Sequence, residues 1–243
     1  MKYTLSKLAC AGLSVLVAVW LAAASFMVVL NPVVTHQLAE ATVDTAHSTL
    51  SHDYLVATAD KARAFALGDD HAGLPRGADD RVAFTPDAIS HLLSVRAVFS
   101  AVIVIFEIAS ALVLIIGIPL LTAHRLRLLG SALIAGAAGL MAITAACAIA
   151  AWATSFDALF EAMHHLFFVK GTWAFAEDSL LICALPEHFW SGCALVWAAA
   201  LILLCALATV AGVLLRRRAA RRTHRQNTQI PVEAGSSTSG SKR

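Results

Sequence analysis

Charge is scarce in this chain. Asp, Glu, Lys and Arg make up 14% of its 243 residues, against 59% apolar residues. That balance excludes an ordinary soluble domain and fits a polytopic membrane protein. The long apolar runs lack period-two alternation, which excludes a β-barrel. The five cysteines form no CxxC and no zinc-type spacing. No GxSxG elbow is present, which argues against a serine hydrolase. No two histidines have the four-residue spacing of a zinc-binding helix, and there is no internal repeat.

Crossing hydrocarbon takes about 20 apolar residues in a helix. Four runs qualify: Leu8 to Val34, Ala97 to Leu121, Leu128 to Trp152, and Phe189 to Leu215. The first follows Lys2 and Lys7 and contains Ala22-Ala23-Ala24-Ser25, as a signal peptide would. It continues through Phe26-Met27-Val28-Val29-Leu30, longer than a typical signal-peptide core, and reads as a retained anchor. The expected fold is an all-α membrane protein of four transmembrane helices with a small extracellular helical cap.

Basic residues orient it. Lys2 and Lys7, His124 with Arg125 and Arg127, and Arg216 to Arg225 all fall on one side of a four-span bundle. Both termini are then expected in the cytoplasm. The segments are residues 1–34 with the first span, 35–92 as the main cap segment, and 93–153 with spans two and three. Residues 154–188 form a second extracellular segment, 189–215 the last span, and 216–243 a basic tail expected to be disordered.

Within the cap, a helix is expected around residues 37–66, ending at the turn-rich run 68–77. Thr85-Pro86-Asp87 reads as a helix start running unbroken into span two, with His91 just above the membrane. Ser155 and Asp157 start a short helix ending near Phe168. Its apolar stripe is Phe156, Leu159, Phe160, Met163 and Phe167. His164 follows Phe160 by four residues and lies beside the stripe, while His165 is rotated about 100° away. In span three, Ser131, Ala135 and Gly139 recur every four residues, a pattern that lets helices approach closely.

Few residues can carry chemistry. His36, His47, His52 and His71 lie in polar surroundings and read as solvated. Glu161 and His164 form one ExxH element without the second copy that a di-iron bundle needs, so no metal or other cofactor is expected. Glu107, the one acidic residue within a span, reads as a protonated carboxyl bonded to a neighbouring helix, about 24 Å along the helix from His91. Arg96 at the outer boundary can snorkel, orient a substrate carbonyl or tie the two outer segments together. Trp173, Phe175, Phe189 and Trp190 sit at the depth of interfacial anchors. Cys183 and Cys193 lie near the same surface, and spacing does not fix their pairing. Spans two and three are antiparallel neighbours joined by a short turn, so His91 and His164 return to the same level. Two imidazoles in an aromatic setting point to proton transfer.

Three stretches resemble the bacterial lipoprotein intramolecular transacylases. His91-Leu92-Leu93-Ser94-Val95-Arg96 is similar to the family's HxxDV[KR] element, with Ser94 in place of Asp. Met163-His164-His165-Leu166-Phe167-Phe168 is similar to FHxxFF, with Met163 in place of the first Phe. Trp173-Ala174-Phe175 is followed by Asp178, Leu180, Leu181, Leu185-Pro186-Glu187 and Phe189-Trp190 as in the family. The resemblance implies four spans with an extracellular cap, and His91 and His164 as catalytic residues at the extracellular face of a bacterial cell membrane. It implies transfer of the sn-2 acyl chain of a diacylglyceryl group to the α-amine of a lipoprotein's N-terminal cysteine. Arg96, Phe160, Phe167, Phe168, Trp173, Phe175 and Trp190 are the expected substrate-binding residues. The expected partners are a diacylated lipoprotein and membrane lipids, with no nucleic acid. Two other classes stand beside this reading: a non-enzymatic assembly protein whose cap binds a partner, and a lipid hydrolase.

Overall fold

The computed structural model describes residues 2–169 and 171–228, and these are helical apart from connecting turns and one isolated β-bridge between Arg76 and Phe84. In chain order the helices are α1 (Lys2–Val29), α2 (Pro32–Thr42), α3 (His52–Ala66), α4 (Pro86–Thr122), α5 (Leu126–Ala153), α6 (Phe156–Phe167), α7 (Leu180–Ala184) and α8 (Glu187–Thr228). The four long helices α1, α4, α5 and α8 are apolar enough to cross a membrane. The short helices α2, α3, α6 and α7 gather at one end as a cap.

The first span is shorter than the apolar run that announces it. Asn31 and Pro32 end it: the Asn31 side chain accepts a hydrogen bond from the Val33 N–H at 2.9 Å, and Pro32 opens α2. The expected single helix over 37–66 is two helices. Asp44 interrupts it by accepting from the N–H groups of Ala46 and His47, and Ser51 then caps α3. The start at Thr85 is as expected, with the Thr85 hydroxyl accepting from the Ala88 N–H and Pro86 in the first turn. At 37 residues α4 is about 55 Å long, well beyond the ~30 Å hydrocarbon slab, so its first turns, with His91, rise into the cap.

Helices α1, α5 and α8 form the tight part of the bundle, and α4 packs chiefly on α1. The closest approaches use glycine, though not at the expected stripe. Ala135 and Gly139 are exposed, and nothing lies within 4 Å of a Cβ placed at Gly139. Instead a Cβ at Gly130 would lie 2.6 Å from the Gly212 carbonyl oxygen, and one at Gly136 would lie 2.6 Å from that of Ser14. On α4, Phe99 meets Phe26 edge-on at 5.7 Å, and Trp20 donates from Nε1 to Ser110 Oγ at 2.9 Å. Glu107 is turned away from that contact face. It is exposed and makes no hydrogen bond or ion pair among the described residues, so the expected bond to a neighbouring helix is not formed.

At the end opposite the cap, His124 adopts a positive φ of 57° in the turn between α4 and α5, and Arg222 donates to its Nδ1 at 2.6 Å. The chain stays helical through Thr228, which the Arg- and Ala-rich sequence 216–222 favours. The rest of the tail, where disorder was expected, lies outside the described residues.

The cap has its own apolar core. Leu55, Phe65, Phe84, Leu92, Leu180 and Phe189 are buried together, so α3, α7 and the cap ends of α4 and α8 share one packed layer. Three of the histidines expected to be solvated are indeed largely exposed and make hydrogen bonds at the rim of this layer. His36 bonds Asp60 at 2.7 Å, His47 bonds Asp44 at 2.6 Å, and His52 donates to the Glu40 carbonyl at 3.0 Å. Cys183 and Cys193 are buried free thiols within it.

Candidate active site

His91 stands on the second turn of α4 and His164 on the last turn of α6, two helices with no direct chain connection on the cap side. Both are nearly enclosed, at 9% and 6% exposure. Their rings stack with centroids 6.1 Å apart and planes 18° from parallel. Phe168 lies against both, 5.0 Å from His91 and 5.3 Å from His164. Phe175 meets His91 at 5.7 Å. Phe160 and Trp173 meet His164 at 4.1 and 4.8 Å, and Trp190 meets Phe160 at 6.4 Å. Trp190 is held by donating from Nε1 to the Leu185 carbonyl at 3.1 Å.

Helix α6 begins at Ser155, whose hydroxyl accepts from the Ala158 N–H at 3.1 Å. Of its expected stripe Phe160 packs, and the side chain of Phe156 lies outside the described residues. Leu159, Met163 and Phe167 are exposed at 40%, 36% and 53%, whereas Phe160 is half-buried and His164 buried. The i, i+4 pair Phe160 and His164, continued by Phe168, is the packed edge. His165 points elsewhere: its Nε2 lies 3.4 Å from Glu161 Oε1, and its ring meets Trp173 edge-on at 5.5 Å.

The imidazoles differ in their polar partners. His164 Nδ1 lies 2.8 Å from the Phe160 carbonyl oxygen. A carbonyl only accepts, so Nδ1 carries the proton and Nε2 keeps its lone pair. His91 Nδ1 is buried without a hydrogen-bond partner, and so is Trp173 Nε1. Burial first, and the neighbouring His164 second, push His91 down to about 4. Burial also lowers His164, an effect opposed by its bond to the Phe160 carbonyl. Both shifts favour the neutral imidazole, which can accept a proton at one nitrogen and donate a hydrogen bond from the other.

Seven of the nine expected site residues come together: His91 and His164, with Phe160, Phe168, Trp173 and Phe175 in ring contact with one or both and Trp190 reaching the pair through Phe160. Phe167 turns outward. Arg96 is occupied in the cap. It donates from Nε to the Phe65 carbonyl at 2.8 Å and from Nη1 to Asp70 Oδ1 at 2.7 Å, with its guanidinium 4.2 Å from the Phe65 ring. It thus joins α4 to the end of α3. An open cleft of about 670 Å³ between α2, α3 and residues 69–72 contains neither site histidine. Among the described residues, no three of His, Cys, Asp and Glu converge as metal ligands.

The fold defines a multi-span integral membrane protein with one enclosed histidine pair where cap and bundle meet. The chain belongs to the lipoprotein intramolecular transacylase Lit family, whose model matches residues 9–190, and is accordingly a membrane acyltransferase. No curated protein sequence matches it. Its fold is similar to the in meso structure of the membrane integral lipoprotein intramolecular transacylase Lit from Bacillus cereus. That likeness has a TM-score of 0.64 at 17% identity and covers 91% of this chain and 99% of the other. A histidine-to-alanine mutant of the same Bacillus cereus protein gives a TM-score of 0.63 at 15% identity, covering 93% and 97%.

Proposed function

We propose that this protein moves the sn-2 acyl chain of a lipoprotein's diacylglyceryl group onto the α-amine of its N-terminal cysteine, leaving a lyso-form lipoprotein. The cap faces the extracellular side, as the basic residues at the other end of the bundle favour. Membrane lipids surround the apolar spans, and the diacylated lipoprotein is the substrate.

The stacked, enclosed pair His91 and His164 carries this reading. The α-amine attacks the ester carbonyl carbon, forming the new N–C bond, and the carbonyl π pair moves to oxygen. His164 Nε2 takes a proton from the nitrogen. That assignment follows from Nδ1, which is committed to the Phe160 carbonyl. When the oxyanion collapses, the C–O bond to the glyceryl sn-2 carbon's oxygen breaks, and His164 returns the proton to that oxygen. His91 donates a hydrogen bond to the carbonyl oxygen and keeps its own proton. Nucleophile and ester share one molecule, so conformational restraint supplies much of the rate. Phe160, Phe168, Trp173, Phe175 and Trp190 provide that restraint. Arg96 acts at a distance by holding the cap against α4, and Phe167 contacts lipid or the substrate's chains from outside.

Mass spectrometry of lipoprotein N-termini from bacteria with and without the protein tests this. N-acylated, sn-2-deacylated termini appearing only with the protein support it. Release of free fatty acid instead indicates a hydrolase. Unchanged termini indicate an assembly role.

A further inference from the structure

A buried tryptophan ordinarily finds a hydrogen-bond partner for its indole N–H. Trp190 does so, donating to the Leu185 carbonyl. Trp173, a half-buried residue, does not, although its Nε1 atom is withdrawn from water. Its ring is fixed on two sides, 4.8 Å from His164 and 5.5 Å from His165. An N–H held dry and unpaired is unfavourable in the free protein. The fold keeps it so directly beside the ring that holds the base.

The acyl shift needs such a donor. Negative charge develops on the carbonyl oxygen when the amine adds, and a fixed donor in a dry site stabilises it most at that moment. His91 supplies one N–H from the α4 side, and Trp173 approaches from the loop after α6. Building on the acyl-transfer reading above, we infer that the Trp173 indole N–H is a second hydrogen-bond donor to the carbonyl oxygen of the migrating acyl group. Trp173 keeps its proton throughout. The oxygen accepts from it weakly as an ester, strongly as the tetrahedral oxyanion, and again as the amide product. Trp173 thereby has a role separate from that of Phe160 or Phe168, whose rings can only shape the space.

The test uses purified full-length protein and a synthetic diacylated lipopeptide. Trp173→Phe keeps an aromatic ring and deletes the donor. Removal of one oxyanion donor predicts a fall in kcat of about 100-fold with KM changed by no more than about threefold. A lipopeptide with a phosphonate at the sn-2 position mimics the tetrahedral state and loses affinity by the same factor as kcat. Benzothienylalanine at position 173, which keeps the shape and lacks the N–H, reproduces the defect and answers the question should the Phe variant misfold. Wild-type kcat in either variant, or a loss confined to KM, overturns the assignment. The controls keep the two claims apart. An inactive wild-type protein refutes the acyl-transfer reading itself. An active wild type, an inactive His164→Ala variant and a fully active Trp173→Phe variant refute only the role given to Trp173.

Discussion

His164 Nδ1 faces the Phe160 carbonyl oxygen at 2.8 Å, one helical turn back along α6. This backbone contact sets the tautomer of the imidazole, and the proposed role of Nε2 as proton acceptor rests on it. In ¹⁵N-labelled protein at neutral pH, the His164 shifts are expected to show Nδ1 protonated and Nε2 bare. The opposite tautomer would exchange the roles proposed for its two nitrogens.

The pH profile follows from burial. A histidine whose folded pKa lies below its free value is neutral over a wider range, and it protonates only as pH falls through the lowered value. His91 is at about 4 and His164 also lies below its ordinary 6.5. The limb of kcat due to histidine therefore begins below pH 6.5, and activity falls as acid is added. For stability the sign is the same. Between about 4 and 6.5 the unfolded chain binds more protons at position 91 than the folded one, so stability drops as pH falls through that window. His91→Phe flattens this part of a thermal-melt series against pH.

Arg96 is expected to matter for the cap more than for the chemistry. It donates to the Phe65 carbonyl and to Asp70, and the Asp70 carboxylate is mostly exposed. Asp70→Ala loses mainly a solvent-screened ion pair and is expected to cost little. Arg96→Lys loses the planar fork and its stacking on Phe65, about 1.5–3 kcal/mol for charged hydrogen bonds of this kind. Thermal unfolding of the two variants in detergent measures the order. Equal effects would contradict it.

The bundle gives an independent check on packing. Gly130 and Gly212 face each other so closely that a Cβ on either lies under 3 Å from the other's carbonyl oxygen. Alanine at either position is expected to cost about 1–3 kcal/mol by overpacking. Alanine at Gly139, where a Cβ meets nothing within 4 Å, is expected to cost little or to stabilise.

Much of this was legible in the sequence because hydrophobic length and helix starts are local signals. The four long helices, the cap of Thr85 on α4 and the cap of Ser155 on α6 are all readable from adjacent residues. So is the convergence of His91 and His164, since antiparallel spans joined by a tight turn return to one level. What escaped depends on neighbours distant in sequence. The Gly130–Gly212 contact needs the partner helix to distinguish it from the Ser131, Ala135, Gly139 repeat. The occupation of Arg96 needs Asp70 and the Phe65 carbonyl, more than 25 residues away. The break at Asp44 had a local signal in its Asx turn, masked by the helix-compatible residues on either side. The unpaired Trp173 N–H has no signature in sequence at all, because a missing partner is a property of the folded surroundings.

The most direct measurement compares His164→Ala with His165→Ala, two adjacent residues of which one faces His91 and the other faces Glu161. Both proteins are produced in membranes, and the N-termini of a diacylated lipoprotein are then analysed by mass spectrometry. His164→Ala is expected to yield no N-acylated lyso-form, and His165→Ala to retain most of it. Normal lyso-form production with His164→Ala would contradict the two-histidine account.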